Sequence, residues 1–184
     1  LLLDTVTSLG GVPLFLDSWK VDLAYSCSQK GLSCPPGLGP FTIGPRAEEK
    51  LNNRKDKVPN WYLDVSLLNK YWGSDRIYHH TAPVNMNFGI REALRLLAEE
   101  GLENSWKRHS HNANKLWNGL EALGLEMHVQ KELRLPTLTT VRIPEKVNGK
   151  AFGKHLLDKY GIEIGGGLGD LAGKVWRIGL MGYN

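Results

Sequence analysis

Cysteine is nearly absent from this sequence: Cys27 and Cys34 are the only two among 184 residues. Two thiols cannot build a disulfide framework, and no second Cys/His pair completes a zinc-site spacing. That pattern suits a reducing compartment better than a secreted one. Long apolar runs are missing as well. None approaches the roughly 20 residues that a bilayer-crossing helix needs, so no membrane partner is expected. An excess of one charge is also lacking. The formal net charge is +4, but the basic residues alternate with acidic ones, as in Arg46-Ala-Glu-Glu-Lys50 and Arg54-Lys-Asp-Lys57. Such stretches read as solvated faces, and no aromatic-plus-basic motif of a nucleic-acid reader accompanies them, so no nucleic-acid partner is expected. There is no internal repeat and no low-complexity tract.

What is present suits a globular chain. Hydrophobic residues make up 41% and charged residues 23%, with 21 glycines, which is enough apolar material for one large or two small domains. The chain starts without Met inside the run Leu1-Leu-Leu3 and stops just after Lys174–Met181. Domains seldom begin or end inside core strands, so it reads as a fragment, with any targeting signal outside it.

Patterning along the chain predicts buried strands at Leu1–Val6 and Val21–Ser26, with a short apolar piece at Val12–Leu16 between them. A further strand is expected at Leu38–Ile43, and Pro45 opens a polar helix. Residues 52–83 hold little periodicity but many aromatics and histidines. From Val84 a helical period runs to a stop at Gly101, and a second helix runs from Leu102 to Gly124. Half-buried strands are expected at Leu125–Gln130 and Thr137–Ile143, then a helix over Gly149–Tyr160. Short strands at Ile162–Ile164 and Lys174–Leu180 flank the loop Gly165–Gly169. The order is α/β: residues 1–100 as part of a large sheet domain, and residues 101–184 as a small α/β sandwich.

Lys30 stands just past an expected strand, where open α/β sheets place a ligand crevice. Burial there can favour the neutral, nucleophilic amine. The plain alternative is a surface lysine after a strand. Ser26, Ser28 and Gln29 are compact polar groups able to hydrogen-bond a phosphate. Asp4 ends the preceding apolar strand, 26 residues before Lys30. It could answer a protonated ring nitrogen, or it could simply cap a turn; spacing leaves both open.

Longer strings decide more. They are Asp4-Thr-Val-Thr-Ser-Leu-Gly-Gly11, Cys27-Ser-Gln-Lys30 before Pro35-Pro-Gly37, Tyr78-His-His-Thr81-Ala-Pro83, Arg91-Glu-Ala-Leu94 and Gly101-Leu-Glu103. Leu135-Pro-Thr-Leu-Thr-Thr140, Gly166-Gly-Leu-Gly169 and Arg177-Ile-Gly-Leu180 follow in the same order. Together they resemble the fold-type I pyridoxal-phosphate enzymes, and within these the alanine–glyoxylate/serine–pyruvate aminotransferases. The resemblance implies an enzyme that moves an amino group from alanine or serine to glyoxylate or pyruvate through a lysine Schiff base. A 3-hydroxykynurenine transaminase and a catalytically silent relative are the alternatives. It implies Lys30 as that lysine and as the acid–base group, and Asp4 on the pyridine nitrogen. Gln29 falls on the phosphate, Tyr78 and Thr81 on the phosphate of a neighbouring subunit in a homodimer, and Arg177 on the substrate carboxylate. It further implies a peroxisomal or mitochondrial setting.

Some features stand apart. The Gln before Lys30 differs from the related cysteine desulfurases, which favour His there. Gly31 and Cys34 fall where relatives commonly carry Ala, which suggests a looser loop after Lys30. The family's upstream phosphate loop and ring-stacking aromatic are expected before residue 1. His79-His80 lack a third ligand at useful spacing and are not expected to hold a metal. Gly165–Gly169 matches neither a dinucleotide fingerprint nor a P-loop, and reads as a turn needing positive φ beside the site. Cys27 reads as a buried spectator.

Overall fold

The computed structural model describes residues 1–183; Asn184, the last residue of the expected small domain, lies outside the described residues. Two three-stranded sheets and five α-helices carry the described residues. In the first sheet β1 (Leu2–Asp4) runs parallel to β2 (Leu23–Tyr25), and β3 (Phe41–Ile43) runs antiparallel to β2. These strands are shorter than the apolar runs predict. Pairing continues past β2 and before β3 as single bonds: Ser26 N–H donates to the Pro40 carbonyl and Ser28 N–H to that of Leu38. Pro40 has no N–H to extend the ladder itself. Contrary to the buried strands expected, only Ala24 of β2 is buried, while Leu2, Leu23, Tyr25 and Phe41 are exposed. Alternate residues of one strand point to opposite faces, and only one face of this sheet is covered among the described residues.

Helix α1 (Pro45–Asn52) begins with proline in its first turn, where a missing N–H costs nothing, and it buries none of its residues. Its Arg46 forks onto Asp22 at 2.7 and 3.0 Å, which ties the helix to the sheet. Within the stretch that lacks periodicity, a second helix, α2 (Val65–Trp72), follows a short 3-10 turn. Two side chains start these turns: Asn60 accepts from Tyr62 and Leu63 N–H, and Asp64 accepts from Ser66 N–H.

Helix α3 (Val84–Glu100) ends at Gly101, and α4 (Leu102–Ala122) starts from the same residue. With φ +83°, Gly101 makes both ends possible in one step, a conformation that costs residues with a Cβ. The inner face of α4 is small and polar: Ser105, His109 and Ala113, four residues apart, are its buried residues.

The second sheet has the order β4 (Leu138–Arg142), β6 (Val175–Gly179), β5 (Gly165–Gly166), all antiparallel. Thr137, Thr139 and Val141 alternate inward, and the Trp117 indole of α4 donates to Thr139 Oγ1 at 2.8 Å. On β6, Val175 and Trp176 are buried; Trp176 donates to the Gly149 carbonyl at 3.0 Å and packs on Phe152 of α5 (Gly149–Tyr160). Fully burying a valine such as Val141 or Val175 contributes about 1.5–3 kcal/mol, so this small core anchors the C-terminal half.

Two expected strands come out differently, and the short apolar piece between the first two expected strands forms none. Leu125–Gln130 contributes only an isolated bridge, Met127 to Val141, with flanking single bonds. Ile162–Ile164 is not a strand, because Ile162 N–H still closes the end of α5 on the Leu156 carbonyl; the strand forms next to it at Gly165–Gly166. Val12–Leu16, split by Pro13, takes no regular structure.

Candidate functional site

Because β1 and β2 are parallel and pair Asp4 with Tyr25, both strands end at the same edge of the sheet. The loops that leave them are laced together immediately. Thr5 donates to the Tyr25 carbonyl through its N–H (2.9 Å) and its hydroxyl (2.7 Å), and the Ser26 hydroxyl donates to the Thr5 carbonyl at 3.1 Å. Asp4 and Lys30 therefore leave one edge on neighbouring, cross-tied loops.

Asp4 is exposed rather than embedded behind the leucines. Its Oδ1 accepts from Val6 N–H at 2.8 Å, and its Oδ2 accepts from the Tyr25 hydroxyl at 2.9 Å. The carboxylate thus caps its own turn and is oriented from the next strand as well. Each of its oxygens carries two acceptor sites, so two remain for a further donor. The bond to Asp4 raises the Tyr25 phenol above its ordinary pKa, assisted by burial and by the carboxylate charge. Tyr25 is the residue that sequence reasoning missed. Finding it required the strand register, and nothing in the string Val21–Ser26 reveals which β1 residue it faces.

The loop that carries Lys30 is wound around Ser28, which is fully buried. The Ser28 hydroxyl donates to the Pro35 carbonyl at 2.7 Å, and its own carbonyl accepts from Cys34 N–H at 3.1 Å. The hydroxyls of Ser26 and Ser28 are therefore engaged inside the loop rather than offered to a phosphate. Gln29 is exposed and Lys30 half-buried. No carboxylate pairs with Lys30 among the described residues. Nor is the loop loosened by Gly31, which is buried: a methyl there would sit 2.1 Å from the Leu9 carbonyl oxygen. The glycine serves a close approach of two backbones. Cys27 is half-buried, less hidden than expected, and Cys34 is buried; both are free thiols.

Arg177 lies on β6, paired in register with Gly165 of β5 and Thr140 of β4. Its Nε donates to the Gly166 carbonyl at 2.6 Å. That bond holds the side chain along β5, and among the described residues neither Nη has a hydrogen-bond partner. In the expected glycine turn, Gly165 and Gly166 are strand residues, and only Gly169 takes positive φ, at +53°. The loop's link to the candidate site is that Gly166 carbonyl.

Tyr78 and Thr81 are brought to each other, hydroxyl to hydroxyl at 2.8 Å, and both are exposed. Neither hydrogen-bonds to Asp4, Gln29 or Lys30 among the described residues. Beside them His79 is buried, stacked on Trp61 with ring centroids 4.1 Å apart and with Nε2 3.1 Å from the Trp61 carbonyl oxygen. His80 shares its Nδ1 with that of His79 at 2.9 Å.

The family described as aminotransferase class-V matches residues 1–183. An alanine–glyoxylate aminotransferase of Callithrix jacchus is 48% identical over 188 aligned positions, covering 100% of this chain and 45% of the relative. The crystal structure of an alanine–glyoxylate aminotransferase from Nostoc sp. superposes with a TM-score of 0.95 at 66% identity, covering 100% of this chain and 48% of that one. A ureidoglycine–glyoxylate aminotransferase from Bacillus subtilis superposes with a TM-score of 0.94 at 39% identity, covering 99% and 47%. The chain spans about half the length of the curated relatives it matches. The α/β architecture is that of the fold-type I pyridoxal-phosphate aminotransferases, and the chain belongs to the class-V aminotransferase family.

Proposed function

We propose that this protein is a transaminase moving the amino group of alanine or serine to glyoxylate or pyruvate, with pyridoxal phosphate as cofactor and Lys30 as its attachment point. The observation that carries the reading is the shared edge: a carboxylate, Asp4, oriented by two donors, stands at the end of the strand beside the one that leads to Lys30. The donor set suits the cofactor. Asp4 offers an anion with acceptor sites to spare for a protonated ring nitrogen, and Lys30 offers an amine that no carboxylate occupies among the described residues. When bound, the cofactor supplies an aldehyde that captures amines and a cationic ring that accepts the electron pair left when the Cα–H bond breaks.

The remaining roles belong to the chain. Asp4, kept in place by Val6 N–H and Tyr25, favours the charged ring. Lys30 Nζ would hold the cofactor's aldehyde carbon at rest, with loss of water, and once displaced by the substrate amine would carry the proton to and from the substrate Cα. Gln29, exposed beside it, takes a phosphate oxygen. Arg177 offers both Nη groups to a substrate carboxylate, with Nε already used to fix its direction. Tyr78 and Thr81 face outward as a pair, which suits a phosphate held by a second copy of the chain across a homodimer interface.

Glyoxylate is the acceptor common to the names of the Nostoc and Bacillus proteins, and this favours it over pyruvate here. The test is direct. The full-length enzyme, supplied with pyridoxal phosphate, alanine and glyoxylate, should produce pyruvate and glycine in equal amounts. Serine in place of alanine should give hydroxypyruvate. Failure to transfer from either donor overturns the proposal, and transfer from 3-hydroxykynurenine alone would reassign the donor.

A further inference from the structure

His109 is fully buried in the middle of α4 and has no part in the reaction as read above. Its two ring nitrogens have opposite duties. Nδ1 lies 2.8 Å from the Ser105 carbonyl oxygen, which can only accept, so Nδ1 carries the proton. Nε2 then has a lone pair, and it accepts from Gly182 N–H at 3.1 Å. These partners fix a neutral ring in one tautomer.

The residue it grips lies five positions beyond Arg177, where the chain leaves β6. More bonds fasten the same point. Arg108 Nη1 donates to the Gly182 carbonyl at 2.7 Å, while its Nε and Nη2 fork onto Glu100 at 2.6 and 2.9 Å. Tyr183 N–H donates to Ser33 Oγ at 3.0 Å, and the Arg108 guanidinium lies 4.9 Å from the centre of the Tyr183 ring. Ser33 belongs to the Lys30 loop: its N–H donates to the Lys30 carbonyl at 2.9 Å, and it holds a positive φ of +53°. Gly182 is seated so closely that a methyl would come 1.9 Å from Ser33 Oγ. On its other side His109 meets the loop after Asp4, since a methyl on Gly11 would come 3.2 Å from its ring and 2.2 Å from Thr137.

We propose that His109 is a positioning residue: by clasping Gly182 against Ser33, it holds the Arg177 strand at a fixed offset from the Lys30 loop. This rests on the transaminase reading, in which Arg177 and Lys30 must meet one substrate at two points. Arg177 reaches its place from one sheet and Lys30 from the other. The clasp is a bridge between them made of directional bonds, with the His109–Gly182 bond buried and the Tyr183–Ser33 bond at the surface.

The test uses the full-length holoenzyme. His109→Asn keeps a donor for the Ser105 carbonyl but has nothing that reaches Gly182. His109→Gln carries an amide oxygen out to the depth of Nε2. The Asn variant should raise KM for both the amino donor and the keto acceptor roughly five- to tenfold, the worth of one buried hydrogen bond, with kcat within about twofold. Deuterium exchange at the Gly182 and Tyr183 amides should accelerate in parallel, and the Gln variant should restore both readouts most of the way. Ser33→Ala, an exposed position, should produce a smaller rise in the same direction, and it carries the test alone if the Asn variant does not fold. Unchanged KM alongside faster exchange, or loss of cofactor in step with KM, would reduce His109 to a fold-stabilising residue. A Gln variant no better than Asn would do the same. A wild-type enzyme without transaminase activity overturns the functional reading; one that transaminates while His109→Asn and Ser33→Ala keep wild-type KM overturns the clasp alone.

Discussion

Replacing Arg177 with lysine keeps the positive charge and removes the geometry. In the structure one guanidinium nitrogen, Nε, is spent on the Gly166 carbonyl at 2.6 Å, which leaves two coplanar Nη groups aimed by that bond. Lysine has no equivalent of Nε, so its ammonium is neither aimed nor forked. The orphaned Gly166 carbonyl is exposed and turns to water at little cost. The loss therefore falls on the carboxylate contact. Each charge-assisted hydrogen bond contributes about 1.5–3 kcal/mol, and one of the two is lost while the other weakens. At about 1.4 kcal/mol per decade, KM should rise roughly ten- to hundredfold. In the proposed transamination both half-reactions would use the same clamp, so alanine and glyoxylate should suffer by similar factors while affinity for pyridoxal phosphate stays put. Steady-state kinetics with each substrate varied in turn, together with a cofactor titration, measure all three quantities. Unchanged KM for either substrate, or a parallel loss of cofactor, would refute the assignment of Arg177 as the clamp.

Other outcomes are equally specific. Borohydride reduction of the holoenzyme followed by peptide mapping should find the pyridoxyl label on Lys30, and Lys30→Arg should fold, lose the label and lower turnover by at least two to four powers of ten; a label on Lys20 or Lys50 would overturn the site. Tyr78→Phe should weaken cofactor binding roughly five- to tenfold without changing the mass of a dimer in sedimentation, and a fully active monomer would remove Tyr78 and Thr81 from the site. The hydrogen bonds and charge of Arg108 hold Glu100 below the usual carboxylate range. The stabilisation from that pair is complete above the unfolded carboxyl pKa near 4.3 and is lost as pH falls through the lower folded value. Glu100→Gln should accordingly cost about 1–2 kcal/mol at pH 7 in urea unfolding, with the gap to wild type closing in acid; a gap that persists below pH 3 would show that packing, not charge, is what Glu100 provides.

Several elements are legible in the sequence because each carries its own boundary signal. Pro45 opens α1, Gly101 divides α3 from α4, and α5 has the bounds that its pattern predicts. Helix α2 is not legible by period, since eight residues make barely two turns; its mark is Asp64, as Asn60 marks the 3-10 turn before it, and both become caps once the chain folds. The same division runs through the site. Asp4 and Lys30 stand out through their strings and spacing, and their meeting at one edge follows from parallel pairing. Tyr25 and His109 do not stand out, because their importance lies in partners 21 and 73 residues away, and Ser28 stands out for a phosphate whereas its hydroxyl is spent on Pro35 within its own loop. Nor does sequence distinguish a glycine that loosens a loop from one, like Gly31, that lets two backbones touch.

The bond from Tyr183 to Ser33 spans 150 residues, and the one from Thr137 to Thr7 spans 130. At a synthesis rate of roughly 5–20 residues per second, Ser33 waits about 8–30 s on the ribosome before its partner is made. Through that interval the Lys30 loop has its local bonds to Ser28 but not its tether, and Ser33 has no distant contact to hold it at positive φ. Closing so long a loop costs only about 0.6 kcal/mol more per doubling of length, so the delay is one of time rather than of stability. Lys30, the proposed attachment lysine, is thus translated about 150 residues ahead of the tether that locks its loop, so a newly made chain should acquire its cofactor only after synthesis has passed β6.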